Sequence, residues 1–258
     1  MNIHNLTRNN YNEFEVVKLV VAAGVGKNKK ILEAVADVDF DVVTAESEEE
    51  LVELLMNGNV DAAVRGSLSA SLIMSKLKQI YPELYRASYI EFNAKKFLLA
   101  PVGIDEGETV AQKLQIAVLA SKFLESEGVK PHVAVLSSGR PNDRGRNKRV
   151  DESLDAGEEL TALIKEKSID VKYYYALLED AVKSDANIII ATDGIVGNTI
   201  FRTLVLVAGA KSYGAVTLGM KEIYIDTSRS QDNNGYKRAL TLADKLAKIT
   251  QTRNSTEQ

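Results

Sequence analysis

Ile188-Ile-Ile-Ala is apolar at every position, and so is Val133-Ala-Val-Leu. A strand with one wet face alternates apolar and polar residues, so runs like these read as strands covered on both faces. Candidate strands of this and similar kind fall at 16–23, 40–44, 60–64, 97–102, 133–136, 188–191, 215–218 and 223–225. Between them lie longer segments of helical period at 27–38, 48–57, 69–81, 110–127, 152–167, 199–208 and 235–249. The alternation predicts an α/β protein with mostly parallel strands and crossover helices. In such folds ligands sit in loops at the carboxyl ends of the strands.

With 258 residues, 45% of them hydrophobic, the chain can bury a sizeable core. At roughly 100–200 residues per domain it makes one large or two smaller domains. A change near 91–96 from Tyr-rich amphipathic sequence to a new strand suggests a boundary there. The absence of cysteine excludes disulfides, thiolate metal sites and a catalytic thiol. Only two histidines occur, His4 in the polar N-terminal stretch and His132 at a strand entry, so no Ser-His-Asp triad and no metal are expected. A net charge of -4 gives no global pull towards nucleic acid. No stretch approaches the roughly 18–20 apolar residues of a membrane span, and no secretory signal is apparent, so a cytoplasmic location is expected. The polar ends, 1–12 and 251–258, are expected to fray.

Four segments can carry chemistry. In Thr192-Asp193-Gly-Ile-Val-Gly197-Asn198 a buried strand ends at a carboxylate, turns on two glycines and enters a helix. Asn198 is a fitting N-cap there, and helix starts attract phosphate or carboxylate; a tight capped turn reads the same. Arg65-Gly66-Ser67-Leu-Ser69-Ala-Ser71 repeats the theme, with hydroxyls suited to an oxyanion or to ordinary capping. Asp226-Thr-Ser228-Arg229-Ser-Gln-Asp232 delivers hydroxyls and an arginine fork into a loop, where the fork would take phosphate or carboxylate bidentately. Residues 140–149 hold five cations in ten positions, among them Arg140, Arg144 and Arg146. That run is either a solvated basic loop or a clasp for a polyanionic, nucleotide-tailed cofactor.

Gly24-Val-Gly26-Lys27 follows a strand, and Glu46 lies 20 residues beyond Gly26 at the end of the next. This imitates a dinucleotide or S-adenosylmethionine fingerprint, but Lys29 stands where the third glycine belongs. No Gly-Lys-Ser/Thr occurs either, so it is not a P-loop.

The order of these pieces resembles the phosphate acyltransferase superfamily: phosphate acetyl- and butyryltransferases and PlsX. Residues 192–198 look like the last, and Ala208-Gly-Ala-Lys with Thr227-Ser-Arg like the butyryltransferases. Over about residues 16–250 the chain is most similar to the MtxX family, methanogenesis marker protein 4, an archaeal family named as a methyltransferase subunit. The resemblance implies two α/β/α domains of the isocitrate-dehydrogenase-like kind with a cleft between them. Residues 13–92 with the returning 226–250 would form one, and 93–225 the other, in a protein that pairs as a homodimer. It also implies site roles. Ser228 and Arg229 would hold a phosphoryl or carboxylate group, Asp193, Gly197 and Asn198 would shape the turn beside it, and Gly66 and Ser67 would close the other wall, with Arg65 and Ser69 alongside. Asp193 or Asp232 would orient or deprotonate a thiol such as that of coenzyme A. The chain departs from the superfamily in its Gly24-Val-Gly26 turn, where a glutamate is usual, and in the early position of Asp232.

Three readings follow. One is a transferase binding an anionic acyl- or phosphate-bearing small molecule in the cleft. The second, implied by the family name, is a subunit of methyl transfer in methanogen C1 metabolism, working with methyltransferase partner proteins. The third is a non-catalytic ligand-sensing or assembly subunit.

Overall fold

The computed structural model describes residues 18–256. The stretch 1–12, His4 and the first two residues of the strand expected at 16–23 lie outside the described residues. Ten strands are present: β1 (Val20–Gly24), β2 (Asp41–Ala45), β3 (Ala62–Val64), β4 (Tyr85–Phe92), β5 (Lys95–Ala100), β6 (His132–Leu136), β7 (Asp170–Tyr175), β8 (Ile188–Ile190), β9 (Lys211–Leu218) and β10 (Ile223–Asp226). The α-helices are α1 (Lys30–Ala36), α2 (Glu48–Met56), α3 (Ala70–Ile80), α4 (Val110–Ser126), α5 (Lys148–Glu166), α6 (Leu178–Lys183), α7 (Gly194–Arg202) and α8 (Asn233–Thr256).

All ten strands join one sheet in the order β2-β1-β3-β10-β9-β4-β5-β8-β6-β7. The first four are mutually parallel, and so are the last four. Between these sets β9 runs antiparallel to β10 and β4, and β4 antiparallel to β5. The two parallel sets therefore point in opposite directions. Their register brings their carboxyl ends together: Asp226 lies opposite Ala215, Ala215 opposite Ser88, Ser88 opposite Leu99 and Leu99 opposite Ile189. β10 stops on this row, and β5 and β8 stop one residue past it, so loops from both sets reach the same level of the sheet.

One face is continuously covered. α1, α4, α5 and α8 bury Ile31, Ile116, Ile164 and Leu240 against Val21, Ile188, Val216 and Ile225. The other face is covered in two separate pieces. α2 and α3 pack Leu51 and Leu77 on Ala22, Ala63 and Tyr224, while α6 and α7 pack over Ala134, Leu99 and Ile189. Because Ala87 and Ile225 point into the first face, the alternation of β4 and β10 turns Arg86, Ser88 and Asp226 to the second. They sit on the strip between the two helix pairs, which explains polar residues in the middle of a sheet.

Those residues close an ion chain. Arg65 donates through Nε to Asp226 and through Nη1 to the Leu68 carbonyl at 2.6 Å. Asp226 also accepts from Arg86 Nη1 at 3.2 Å. Arg86 in turn donates through Nε (2.8 Å) and its backbone N–H (3.0 Å) to Glu106, whose side chain is 1% exposed. Burial opposes the Arg86 charge, but Glu106 and Asp226 outweigh it and hold its pKa above the usual arginine value.

Several elements differ from the sequence expectation. β4 and β7 were not expected as strands, because one turns polar residues to the uncovered strip and the other is an edge strand with exposed alternate residues. At the change of character near 91–96 the chain makes a two-residue hairpin turn on Asn93 and Ala94, both at positive φ. The helix expected over 199–208 begins earlier, at Gly194, because Asp193 accepts from the Val196 N–H at 2.8 Å and caps it. A π-turn over Thr203–Val207 completes it. α8 continues to Thr256, past the expected end at 249.

Two stability predictions follow from these contacts. A Cβ on Gly66, at φ +62, would lie 1.8 Å from the Gly24 carbonyl oxygen, whereas one on Gly58, at φ +67, would meet nothing within 4 Å. Gly66→Ala should cost about 3–5 kcal/mol in urea unfolding and Gly58→Ala about 1–2 kcal/mol. Arg86→Met leaves Glu106 buried without a partner and Asp226 with Arg65 alone, and should cost about 3–5 kcal/mol in the same assay. Arg144→Ala, which breaks exposed pairs with Asp155 and Glu158, should cost under about 1 kcal/mol.

Candidate functional site

The uncovered strip is the floor of a chamber of about 500 Å³. Its walls come from the loops at the carboxyl ends of β3, β5 and β10 and from α7, with Arg65, Ser228, Arg229, Asn198 and Arg202 among the lining residues. Asn198 and Arg202 are four apart on α7 and so share a helix face. Arg229 reaches the chamber from the opposite wall.

The electrostatics divide into a neutral and an uncompensated part. Arg65, Asp226, Arg86 and Glu106 cancel one another in the ion chain. Arg202 and Arg229 make no ion pair with the described residues, and both side chains belong to exposed residues. The net charge that a ligand meets is therefore theirs.

The loops are held by close backbone packing that only glycine allows. Gly66 crosses Gly24, as noted above, and the Gly66 carbonyl accepts from Thr227 Oγ1 at 2.8 Å, tying the β3 loop to the β10 loop. On the other wall a Cβ at Gly194 would lie 1.6 Å from the Gly103 oxygen, and one at Gly197 1.9 Å from the Pro101 oxygen. The Gly194 N–H donates to the Glu106 carbonyl at 2.9 Å, and Asn198 Nδ2 donates to the Val102 carbonyl at 3.3 Å. These glycines dock α7 against residues 101–107, and the N–H groups of Gly194 and Val196 are already taken by protein acceptors.

Asn198 is thus not the N-cap expected from the sequence; it lies within α7 and binds the β5 loop. Asp193 is the cap. Behind it the buried Lys113 donates to the Thr192 carbonyl at 3.0 Å. Burial holds the Lys113 pKa below the usual lysine value, and the charge of Asp193 partly offsets this. Asp232 accepts from the Gly235 N–H at 2.7 Å in the first turn of α8 and faces a separate depression beside Gln231 and Arg238.

Ser67 and Ser69 turn into a neighbouring depression, which Arg229 also borders. Arg140, Arg144 and Arg146 are not brought to the chamber. Arg144 pairs with Asp155 and Glu158, and Arg146 with Asp143 at 2.6 Å. The Arg140 backbone N–H, then Arg146, hold the Asp143 carboxyl below its usual range. Among the described residues no group of three or more potential metal ligands is placed to hold an ion, and no helix is long and apolar enough to cross a membrane.

Sequence reasoning missed Arg86, Ser88, Ser212 and Arg202, all of which line the chamber. Two signals were available: Arg202 follows Asn198 at helical spacing, and Tyr85, Ala87 and Tyr89 alternate with Arg86 and Ser88.

No protein-family profile matches the chain. The solved structures it resembles include a branched-chain phosphotransacylase from Enterococcus faecalis, with a TM-score of 0.71 at 20% identity over 89% of this chain and 99% of that one. The EutD phosphotransacetylase from Staphylococcus aureus superposes with a TM-score of 0.63 at 16% identity, over 90% and 94% of the two chains. At these identities the likeness speaks for the fold, which is phosphotransacetylase-like and of the isocitrate-dehydrogenase-like kind. In sequence the chain is 39% identical over 238 residues to a Methanosarcina barkeri protein named "Putative methyltransferase mtx subunit X", covering 91% of this chain and 85% of that one. It is 40% identical over 234 residues to an "Uncharacterized methyltransferase" of Methanocaldococcus jannaschii, covering 86% and 96%. With such identity over nearly its whole length, the chain belongs to the MtxX family.

Proposed function

We propose that this protein is a transferase that binds a small acyl- or phosphate-bearing anion in the chamber between α7 and the β10 loop. The observation that carries this reading is the pair Arg202 and Arg229, approaching from opposite walls without ionic partners among the described residues, above a floor whose own charges cancel. Guanidinium groups fixed beside a reacting phosphoryl or carbonyl group stabilise charge as it develops. Ser228 and Asn198 supply hydrogen-bonding groups beside them. Asp193 and Asp232 hold α7 and α8 in place through their caps. The phosphotransacylase-like fold favours acyl phosphate as the ligand class, and the methyltransferase names of the relatives favour a place in methanogen C1 metabolism.

A second reading, a ligand-binding subunit without turnover, draws on one observation. Both carboxylates expected to move a proton are engaged as helix caps. Incubating the purified protein with acetyl phosphate and coenzyme A separates the two, since acetyl-coenzyme A forms only if the chamber catalyses.

Binding itself is tested by thermal unfolding with acetyl phosphate and with inorganic phosphate. At a hundred times the dissociation constant a ligand of the native state stabilises by about 2.7 kcal/mol, a shift of several degrees. Arg229→Ala and Arg202→Ala should each abolish the shift while leaving the ligand-free melting temperature within a degree or two. An unchanged melting curve in the wild type, or an undiminished shift in both variants, would refute the anion site.

A further inference from the structure

On the far side of Arg229 from the chamber lies a second depression of about 750 Å³, at the carboxyl ends of β1, β2 and β3. Lys27 and Lys29 from the β1 loop, Glu46 and Glu48 from the β2 end, and Ser69 from the β3 loop border it together with Arg229. Gly26 belongs here too, but its role is internal. Its N–H donates to Ser67 Oγ at 3.0 Å, and a Cβ on it would meet the Ser67 carbonyl oxygen at 2.7 Å. The glycine turn therefore packs the β1 loop on the β3 loop and is not a phosphate cradle.

What remains facing the depression is a set of side chains of mixed sign. Glu48 is engaged, accepting from the Ser69 N–H at 2.7 Å. The Glu46 carboxylate has no hydrogen-bond or ion-pair partner among the described residues, and Lys27, Lys29 and Arg229 have no ionic partner among them. The backbone that carries Glu46 is held in position. Gly24 lies opposite Ala45, and the Val25 N–H donates to the Ala45 carbonyl at 2.7 Å, so Glu46 stands beside the first turn after β1. A bare anion placed here is repelled by Glu46 and Glu48, and a bare cation by three basic groups. A ligand with neutral vicinal hydroxyls at one end and negative charge at the other satisfies both. An acidic residue at the end of the second strand accepting a ribose hydroxyl pair is a recurrent solution in α/β folds.

We infer that this depression is a ribonucleoside subsite, with Glu46 accepting the vicinal hydroxyls and Lys27 and Lys29 taking an anionic tail that runs towards Arg229. The inference rests on the proposed anion chamber only through the shared Arg229. Asn28 Nδ2 donates to the Arg229 carbonyl at 3.4 Å, and Ser67 Oγ donates to the Asn28 carbonyl, so hydrogen bonds join the loops of the two sites. A nucleotide tail with phosphates carries this chemistry in full; S-adenosylmethionine presents the same ribose hydroxyls, but its carboxylate is accompanied by an ammonium and a sulfonium, so only that carboxylate matches the lysines.

Calorimetric titration of the full chain with ADP and, separately, with S-adenosylmethionine tests it. At least one should bind. Glu46→Gln should weaken that ligand about tenfold or more, the loss of a charged hydrogen-bond acceptor. For ADP, the 2′-deoxy analogue should weaken similarly on the wild type, and Lys27→Ala with Lys29→Ala should weaken it further. ADP binding alone identifies a nucleotide-tailed ligand; S-adenosylmethionine binding alone identifies a methyl donor. Failure of both to bind at millimolar concentration, or binding undiminished in Glu46→Gln, overturns the subsite. Arg202→Ala separates the two proposals. It should abolish the acetyl phosphate shift and leave nucleoside binding unchanged, so either site can fail without the other.

Discussion

Four alternating charges, Arg65, Asp226, Arg86 and Glu106, cross the uncovered strip of the sheet, each on a different segment of the chain. Arg65 follows β3, Asp226 ends β10, Arg86 sits in β4, and Glu106 follows β5. Removing Arg86 leaves Glu106, and removing Asp226 leaves Arg65, charged, buried and without its ionic partner, which is the costly way to break such a network. The consequence reaches beyond the chain itself, because the Glu106 carbonyl also receives the Gly194 N–H that starts α7. The distance between Arg202 on α7 and Arg229 after β10 is thus set through Glu106, Arg86 and Asp226. The network positions the two arginines that can meet a ligand without meeting the ligand's charge itself.

That division explains why several arginines around one chamber do not make a uniformly basic pocket. Charges compensated at hydrogen-bond distance project little field beyond their partners, whereas Arg202 and Arg229 project theirs into the space between them. Arginines at 144 and 146 are likewise neutralised by neighbouring carboxylates on the following helix and the same loop. Local density of basic residues along a sequence is therefore a poor guide to where positive potential is available. The basic run at 140–149 is the densest in the chain, and most of what it carries is cancelled locally.

The strands legible in the sequence are those buried on both faces. β1 and β8 are almost entirely apolar because helices cover them front and back. β4 was hidden for a physical reason: its Arg86 and Ser88 face the strip where no helix packs. The start of α7 was ambiguous because Asp193 and Asn198 are both good capping residues. Contacts across about ninety positions decided it, with Gly194 and Gly197 fitting under the carbonyls of Gly103 and Pro101. Of the candidate site residues, Arg65, Ser228, Arg229 and Asn198 line one chamber. Asp232 does not join them, because its carboxylate turns into the first turn of α8.

The Gly24-Val-Gly26 turn shows how a motif can be separated into parts that mean different things. In a dinucleotide fold the glycines let the backbone approach a pyrophosphate, and the acidic residue on the second strand reads a ribose. Here the glycines serve a different close approach, that of the β3 loop, so the third glycine and the phosphate cradle are not needed. The acidic position does not depend on that turn chemistry; it depends only on β2 lying beside β1, and the sheet order preserves that. Glu46 therefore keeps the geometry of a hydroxyl acceptor although the glycine pattern beside it is incomplete. The tail that a pyrophosphate cradle would have held must be met by side chains instead, and Lys27, Lys29 and Arg229 are the side chains placed to meet it.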